Sequence, residues 1–324
     1  MANYIIILLC QLYKKGLYLL SSMLALGLKI FPLYIIIFLG FIASKNLETK
    51  RENIAPLIVY ILAPAVVFNA TYQVKINTGL LILPWILFFM AILICLFVYI
   101  ATKKLWSDNT RNIVAFSAGT GNTGYFGIPL SFILLSPEAA NIYIFALLVS
   151  FLYEYTVGFY IISKGSYTLK QSLIKIAKLP VLYAMIAGFT CNLLNVQFSV
   201  SVLETLNSFK GAYAVLGMMM IGMGLSTIKI KEIDTKFLSV TLVAKFVLWP
   251  ILALMIIFID RNILMLFNES VYQVLIVASI VPMAANTVTL ATLFRTKPEQ
   301  AAIAVLISTI VAFFAIPIMA TLFL

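Results

Sequence analysis

The chain has no histidine, three cysteines and eleven acidic side chains in 324 residues. The missing histidine excludes Ser-His-Asp triads, Cys-His dyads and histidine-based metal sites. Cys10, Cys95 and Cys191 stand far apart in apolar stretches and form no CxxC, so they read as small packing residues. Charge of either sign is scarce. Charged residues make up 10% of the chain, where a soluble domain carries about 25%. No cofactor and no metal site are expected.

What is present is apolar. Hydrophobic residues make up 63%, and the mean hydropathy is +1.10. The expected fold is an all-α polytopic membrane protein. A helix needs about 20 apolar residues to cross the hydrocarbon core, and ten such segments follow: Lys29–Ser44, Asn53–Tyr72, Gly79–Thr102, Arg111–Leu135, Ala139–Ser163, Leu173–Leu194, Phe209–Thr227, Phe237–Ile259, Val271–Phe294 and Glu299–Phe323. Residues 1–28 fit none of them. Lys14 and Lys15 split that apolar run, and the segment lacks the charged start and small-residue cleavage site of a signal peptide. It reads as an interfacial helix, an extra span, or an extension upstream of Met23.

The net charge of +11 lies in particular loops. Lys45, Lys50 and Arg51; Lys103, Lys104 and Arg111; Lys164, Lys170, Lys175 and Lys178; Lys229, Lys231 and Lys236; and Arg295 and Lys297 account for fifteen of the 22 basic residues. These are alternate loops, and basic loops stay in the cytoplasm. That places the loop between spans five and six inside and both ends of the ten-span unit outside. It also argues against nucleic acid as the basic partner. Five spans per half give two halves of opposite orientation, an inverted repeat. The expected division is 29–163 and 173–324, joined by a short cytoplasmic linker at 164–172.

Span four carries an interruption. Gly119, Gly121, Gly124, Gly127 and Pro129 fall within eleven residues around Asn122 and Thr123. Proline removes a donor and clashes with the preceding turn, and each glycine costs a helix about 1 kcal/mol. Interrupted backbone in a membrane is tolerated only where protein buries it or where it lines a wet cavity. Span nine repeats the pattern, with Pro282 before Asn286 and Thr287, 164 residues beyond Asn122 and Thr123. Pro137-Glu138-Ala139-Ala140 is echoed by Pro298-Glu299-Gln300-Ala301-Ala302, 161 residues later. Spans one and six open alike at Pro32 and Pro180 and continue to Gly40 and Gly188. Gly217, Gly222 and Gly224 in span seven read as a close-packing surface; a sliding surface for a moving domain is the alternative.

The run Asn122-Thr123-Gly124-Tyr125-Phe126-Gly127-Ile128-Pro129-Leu130 resembles the signature of the auxin efflux carrier family. Pro282-Met283-Ala284-Ala285-Asn286 and Lys245-Phe246-Val247-Leu248-Trp249-Pro250 are similar to weaker motifs of that family. The resemblance runs from about Met23 to the end, without the long central loop of many plant members, as in a compact microbial-type member. It implies ten helices in two inverted repeats of five, with a scaffold domain beside a transport domain. The fourth and ninth helices would cross at their breaks, and an elevator-like movement would carry an organic anion. Microbial relatives are often labelled malate or malonate permeases.

Independent physics agrees on an anion. The second half of each broken helix presents free N–H groups and about +0.5 elementary charge. The residues expected at the substrate are Asn122, Thr123, Gly124, Pro129, Pro282, Met283, Asn286 and Thr287, with simple capping of the broken helices as the other reading of the asparagines. Glu154 lies nine residues from Ser163, roughly 13 Å deep. An ionisable group there is a candidate for proton or substrate coupling, or a structural partner of Lys245. Lys245 in span eight is read the same way, with backbone anchoring as the alternative. The expected partners are a small organic anion and the lipid bilayer; a homodimer is compatible with this reading. A channel on the same fold is the nearest rival to a carrier. A membrane-embedded enzyme lacks its reactive groups in this sequence.

The topology gives a first test. In a background without native cysteines, a cysteine at Ser166 should resist an impermeant thiol reagent added to intact cells. Strong labelling from outside would reverse the orientation.

Overall fold

The computed structural model describes residues 2–76, 78–162, 178–226 and 233–324. The expected linker at 164–172, the start of span six at 173–177 and the basic residues Lys229 and Lys231 lie outside the described residues.

Twelve helices make up the described residues. They are α1 (Ala2–Asn46), α2 (Arg51–Gln73), α3 (Thr78–Ala101), α4 (Thr110–Gly119), α5 (123–134), α6 (137–162), α7 (Pro180–Leu193), α8 (Val200–Leu225), α9 (Thr235–Leu264), α10 (Glu269–Ile280), α11 (Asn286–Leu293) and α12 (Pro298–Phe323). Among the described residues, six stretches within α1, α2, α3, α8, α9 and α12 are long and apolar enough to cross a membrane. This is a polytopic membrane protein.

Three helices solve the proline problem in one way. A five-residue π turn covers Ile58–Leu62 in α2, Thr123–Gly127 in α5 and Ala244–Leu248 in α9. Each turn ends two residues before a proline: Pro64, Pro129 and Pro250. Proline cannot donate, and its ring crowds the carbonyl one turn back. A widened turn moves that carbonyl away and lets the helix continue.

This corrects the expected extent of the first interruption. Only residues 120–122 leave the helix. Gly124 and Gly127 sit in the π turn, and Pro129 falls in the first α-helical turn after it, where a missing N–H costs little. Two further boundaries differ. Residues 2–46 form one continuous helix, so Lys14 and Lys15 do not interrupt the backbone; lysine is a good helix former whatever its polarity. The seventh segment starts at Val200 rather than Phe209, because Ser199 leads into a run that is polar yet still helical.

Glycine sets the packing of four helices. A Cβ on Gly40 of α1 would stand 2.2 Å from the Met219 carbonyl oxygen of α8. One on Gly222 of α8 would stand 1.8 Å from the Ile37 oxygen of α1. Ser226 Oγ donates to Ser44 Oγ at 2.7 Å, where these two helices end. A Cβ on Gly188 of α7 would stand 2.2 Å from Thr71 Oγ1 and 2.5 Å from the Phe68 oxygen of α2. There Asn192 Nδ2 donates to the Tyr72 oxygen at 2.6 Å and the Val74 oxygen at 2.8 Å. So α1 is pressed to α8, and α7 to α2. Of the span-seven glycines, Gly222 packs on α1, and Gly217 faces the Tyr125 backbone.

Since the obstructing atoms are backbone, Gly40→Leu cannot be relieved by a rotamer change. Overpacking of this kind costs about 1–3 kcal/mol or more. In detergent, Gly40→Leu should lower the melting temperature or abolish the monodisperse peak. Gly211→Leu, at a site with open space around it, should change neither. A Gly40→Leu protein as stable as wild type would refute the close contact.

Candidate functional site

The two interruptions meet. Helix α4 ends at Gly119 because Thr120 turns extended. A Cβ on Gly119 would lie 2.1 Å from the Tyr153 hydroxyl and 2.7 Å from the Ala91 oxygen, so only glycine fits there. Side chains from other helices satisfy the last carbonyls of α4. Tyr153 Oη donates to the Phe116 oxygen at 3.1 Å, and Trp249 Nε1 donates to the Ala118 oxygen at 2.7 Å. The Asn122 N–H then crosses to the other break and donates to the Pro282 oxygen at 2.8 Å. In the second break, the Met283 N–H donates to Ser308 Oγ of α12 at 3.1 Å. Tyr143 Oη donates to the Thr123 oxygen at 3.3 Å.

A side chain joins the same two breaks. Glu154, 7% exposed, opens a π turn in α6. Its Oε1 accepts from Thr120 Oγ1 at 2.7 Å, and its Oε2 accepts from Asn286 Nδ2 at 3.0 Å. Asn286 begins α11, so its amide stands at the start of the second half-helix. Lys245 approaches from α9, only 1% exposed. A Cβ on Gly121 would stand 2.7 Å from its Nζ. That Nζ lies 4.6 Å from the centre of the Trp249 ring and has no hydrogen-bond partner. The expected pairing of Lys245 with Glu154 is not present. The ion pairs among the described residues are Lys75–Glu138 and Arg261–Glu269, both exposed.

A cavity of about 190 Å³ opens beside the crossing. One wall is Gly121, Asn122, Thr123, Gly124, Glu154, Ala284, Ala285 and Asn286. The facing wall is aliphatic: Ile58, Val59, Ala63, Val66 and Val67 of α2, with Leu179 and Val181 at the start of α7. Tyr125 and Tyr213 also line it. Asn122 Nδ2 is buried at this wall with no partner, and no side-chain cap is formed at Asn122. Capping is therefore not what its amide does. Thr287 is fully buried, and its hydroxyl also lacks a partner.

Other expected residues fall outside the cavity lining. Pro129 is buried in α5. Pro282 takes part through its carbonyl, and Met283 is fully buried with its N–H on Ser308. Lys245 lines a separate space of about 20 Å³ with Gly119, Thr120 and Gly121. A larger cavity of about 440 Å³, lined partly by Ser44, Lys50, Arg51 and Met220, reaches the second break at Ala285. Thr120, Tyr213 and the α2 wall went unnoticed in the sequence. Thr120 lies inside the glycine-rich stretch and had a signal; an aliphatic wall in an aliphatic span has none.

Residues 165–320 match the family model Mem_trans, described as membrane transport protein. The second half of the chain is thus similar to the auxin efflux carrier family of membrane transporters. The matched region carries the second break, Lys245 and the α7–α8 packing surfaces; the first break and Glu154 lie before it. No curated protein matches the chain closely enough to count as a relative.

Proposed function

We propose that the protein is a secondary carrier that moves a small organic anion, a carboxylate, across the cell membrane, and that the anion binds where the two broken helices meet. The observation that carries this reading is the unpartnered amide of Asn122. A buried donor without an acceptor costs about 1–3 kcal/mol. A carboxylate oxygen in the cavity would recover that cost. The starts of α5 and α11 converge on the same place and add their positive ends.

The cavity wall narrows the cargo. Among the described residues neither Lys nor Arg lines it, and the wall opposite Asn122 is aliphatic. A second carboxylate would lie against Val66, Val67 and Val181 unpaired, which is costly. A monocarboxylate with an apolar body smaller than the 190 Å³ cavity fits better than a dicarboxylate.

The architecture we assign to this carrier is ten spans in two inverted repeats, 29–163 and 173–324, with the loop between spans five and six in the cytoplasm. The packing supports it. Span one lies on span seven through Gly40 and Gly222, and span six lies on span two through Gly188. The serine contact closes the first pair where α1 and α8 end, and Asn192 closes the second where α7 and α2 end. An inversion relates these two pairs. Spans one, two, six and seven would form the scaffold, and the crossing would move past them with its cargo.

Benzoate and malonate serve as probes on purified, monodisperse protein. Benzoate should bind in calorimetry, and malonate more weakly. Removing one hydrogen bond to a charged group costs about 1.5–3 kcal/mol, or roughly 10- to 150-fold in affinity. Asn122→Ala should lose benzoate affinity by that factor while keeping its melting temperature. A folded Asn122→Ala protein that binds benzoate as wild type does would move the site elsewhere.

A further inference from the structure

We infer that Glu154 is a proton-operated clamp: its carboxylate holds the Asn286 amide, and protonation of Glu154 releases that amide to the carboxylate of the cargo. The inference rests on the carrier reading above and adds the coupling ion and its stoichiometry.

The cavity contains an internal competitor for its anion. Glu154 belongs to the cavity wall, and it already occupies Asn286 Nδ2 and Thr120 Oγ1 with its two oxygens. A carboxylate bound at Asn122 would share this small cavity with the Glu154 carboxylate. Two like charges in a desolvated space repel strongly, and one of them is driven to the neutral form. Only one of the two anions can therefore have full use of the donors.

The surroundings of Glu154 leave the proton as the simplest relief. The groups facing it are Thr120 from the first break, Asn286 from α11, Tyr125 from α5 and Tyr213 from α8 across the cavity. Tyr153 precedes it on α6, with its hydroxyl committed to the Phe116 oxygen. Lys245 of α9 presses on Gly121 from the separate small space and makes no ion pair with Glu154. Arg51 lines the other cavity, where Glu48, Glu52 and Lys50 accompany it. Among the described residues, no cation forms an ion pair with Glu154.

Protonation converts the Glu154 carboxylate to a carboxylic acid without breaking another bond. The acid is a weaker acceptor than the carboxylate, so Asn286 Nδ2 becomes available beside Asn122 Nδ2. A monoanion and one proton then occupy the crossing together, and their charges cancel. Because Glu154 bonds to both breaks, the proton travels with the cargo. The carrier is thereby a symporter of one proton with one monocarboxylate.

The test is benzoate calorimetry on the purified full chain between about pH 5.5 and 8.5, repeated in buffers of different ionisation enthalpy to count protons. Wild-type affinity should fall as pH rises, approaching tenfold per pH unit, with about one proton taken up per benzoate. Glu154→Gln should bind benzoate with no pH slope and no proton uptake, and Lys245→Met should keep the wild-type slope. A slope that survives in Glu154→Gln, or vanishes only in Lys245→Met, would overturn the clamp. So would wild-type binding without proton uptake. Should Glu154→Gln fail to fold, infrared difference spectra of wild type decide: benzoate should produce a protonated-carboxyl band, and no such band would refute the inference. Failure of benzoate to bind wild type at every pH would instead remove the carrier reading on which the clamp rests.

Discussion

One backbone hydrogen bond organises this molecule: the Asn122 N–H to the Pro282 carbonyl, 2.8 Å apart. A helix broken inside hydrocarbon leaves polar backbone groups that lipid cannot satisfy. Two breaks placed together satisfy part of each other, and neighbouring helices supply the rest. Tyr153 and Trp249 take the carbonyls that end α4, Tyr143 takes the Thr123 carbonyl, and Ser308 takes the Met283 N–H. Among the described residues, the buried side-chain groups left unsatisfied around the breaks are Asn122 Nδ2, Lys245 Nζ and the Thr287 hydroxyl; Asn109 Oδ1 and Thr321 Oγ1 are unsatisfied elsewhere. Of these, Asn122 belongs to the wall of the 190 Å³ cavity and is the donor that the proposed cargo carboxylate would satisfy.

The charges make the two halves unequal. At 161 to 164 residues beyond Glu154 stand Ala315, Ile316, Pro317 and Ile318, none of them ionisable. At the same distance before Lys245 stand Leu81, Ile82, Leu83 and Pro84. Glu154 and Lys245 both address the first break, at Thr120 and Gly121. In the carrier proposed above, a duplicated scaffold would supply the crossing, and the unmatched Glu154 and Lys245 would supply the chemistry. On that proposal the breaks would supply positive potential, while the wall and Glu154 would set selectivity and coupling.

Much of this could be read from the residues. The breaks announced themselves through Gly121, Asn122 and Pro282, because glycine and proline alter backbone geometry locally. The membrane class followed from hydropathy. What escaped notice are the contacts these residues make with distant partners. Nothing near Glu154 in sequence points to Asn286, 132 positions away, or to a hydrogen bond that ties up an expected cargo donor. Pro129 looked like part of the interruption, but the π turn before it restores the helix. Val66 and Val67 form a cavity wall only because α2 lies against the crossing.

The central claim is that the anion binds at the crossing, with its carboxylate on Asn122 and its body against the aliphatic wall. Crystals grown with 4-bromobenzoate test it most directly, through the anomalous signal of bromine. The account predicts one bromine peak in the 190 Å³ cavity, near Val66, Val67 and Val181, with the carboxylate density at the Asn122 amide. A bromine peak in the cavity beside Arg51 instead, with the crossing empty, would contradict it.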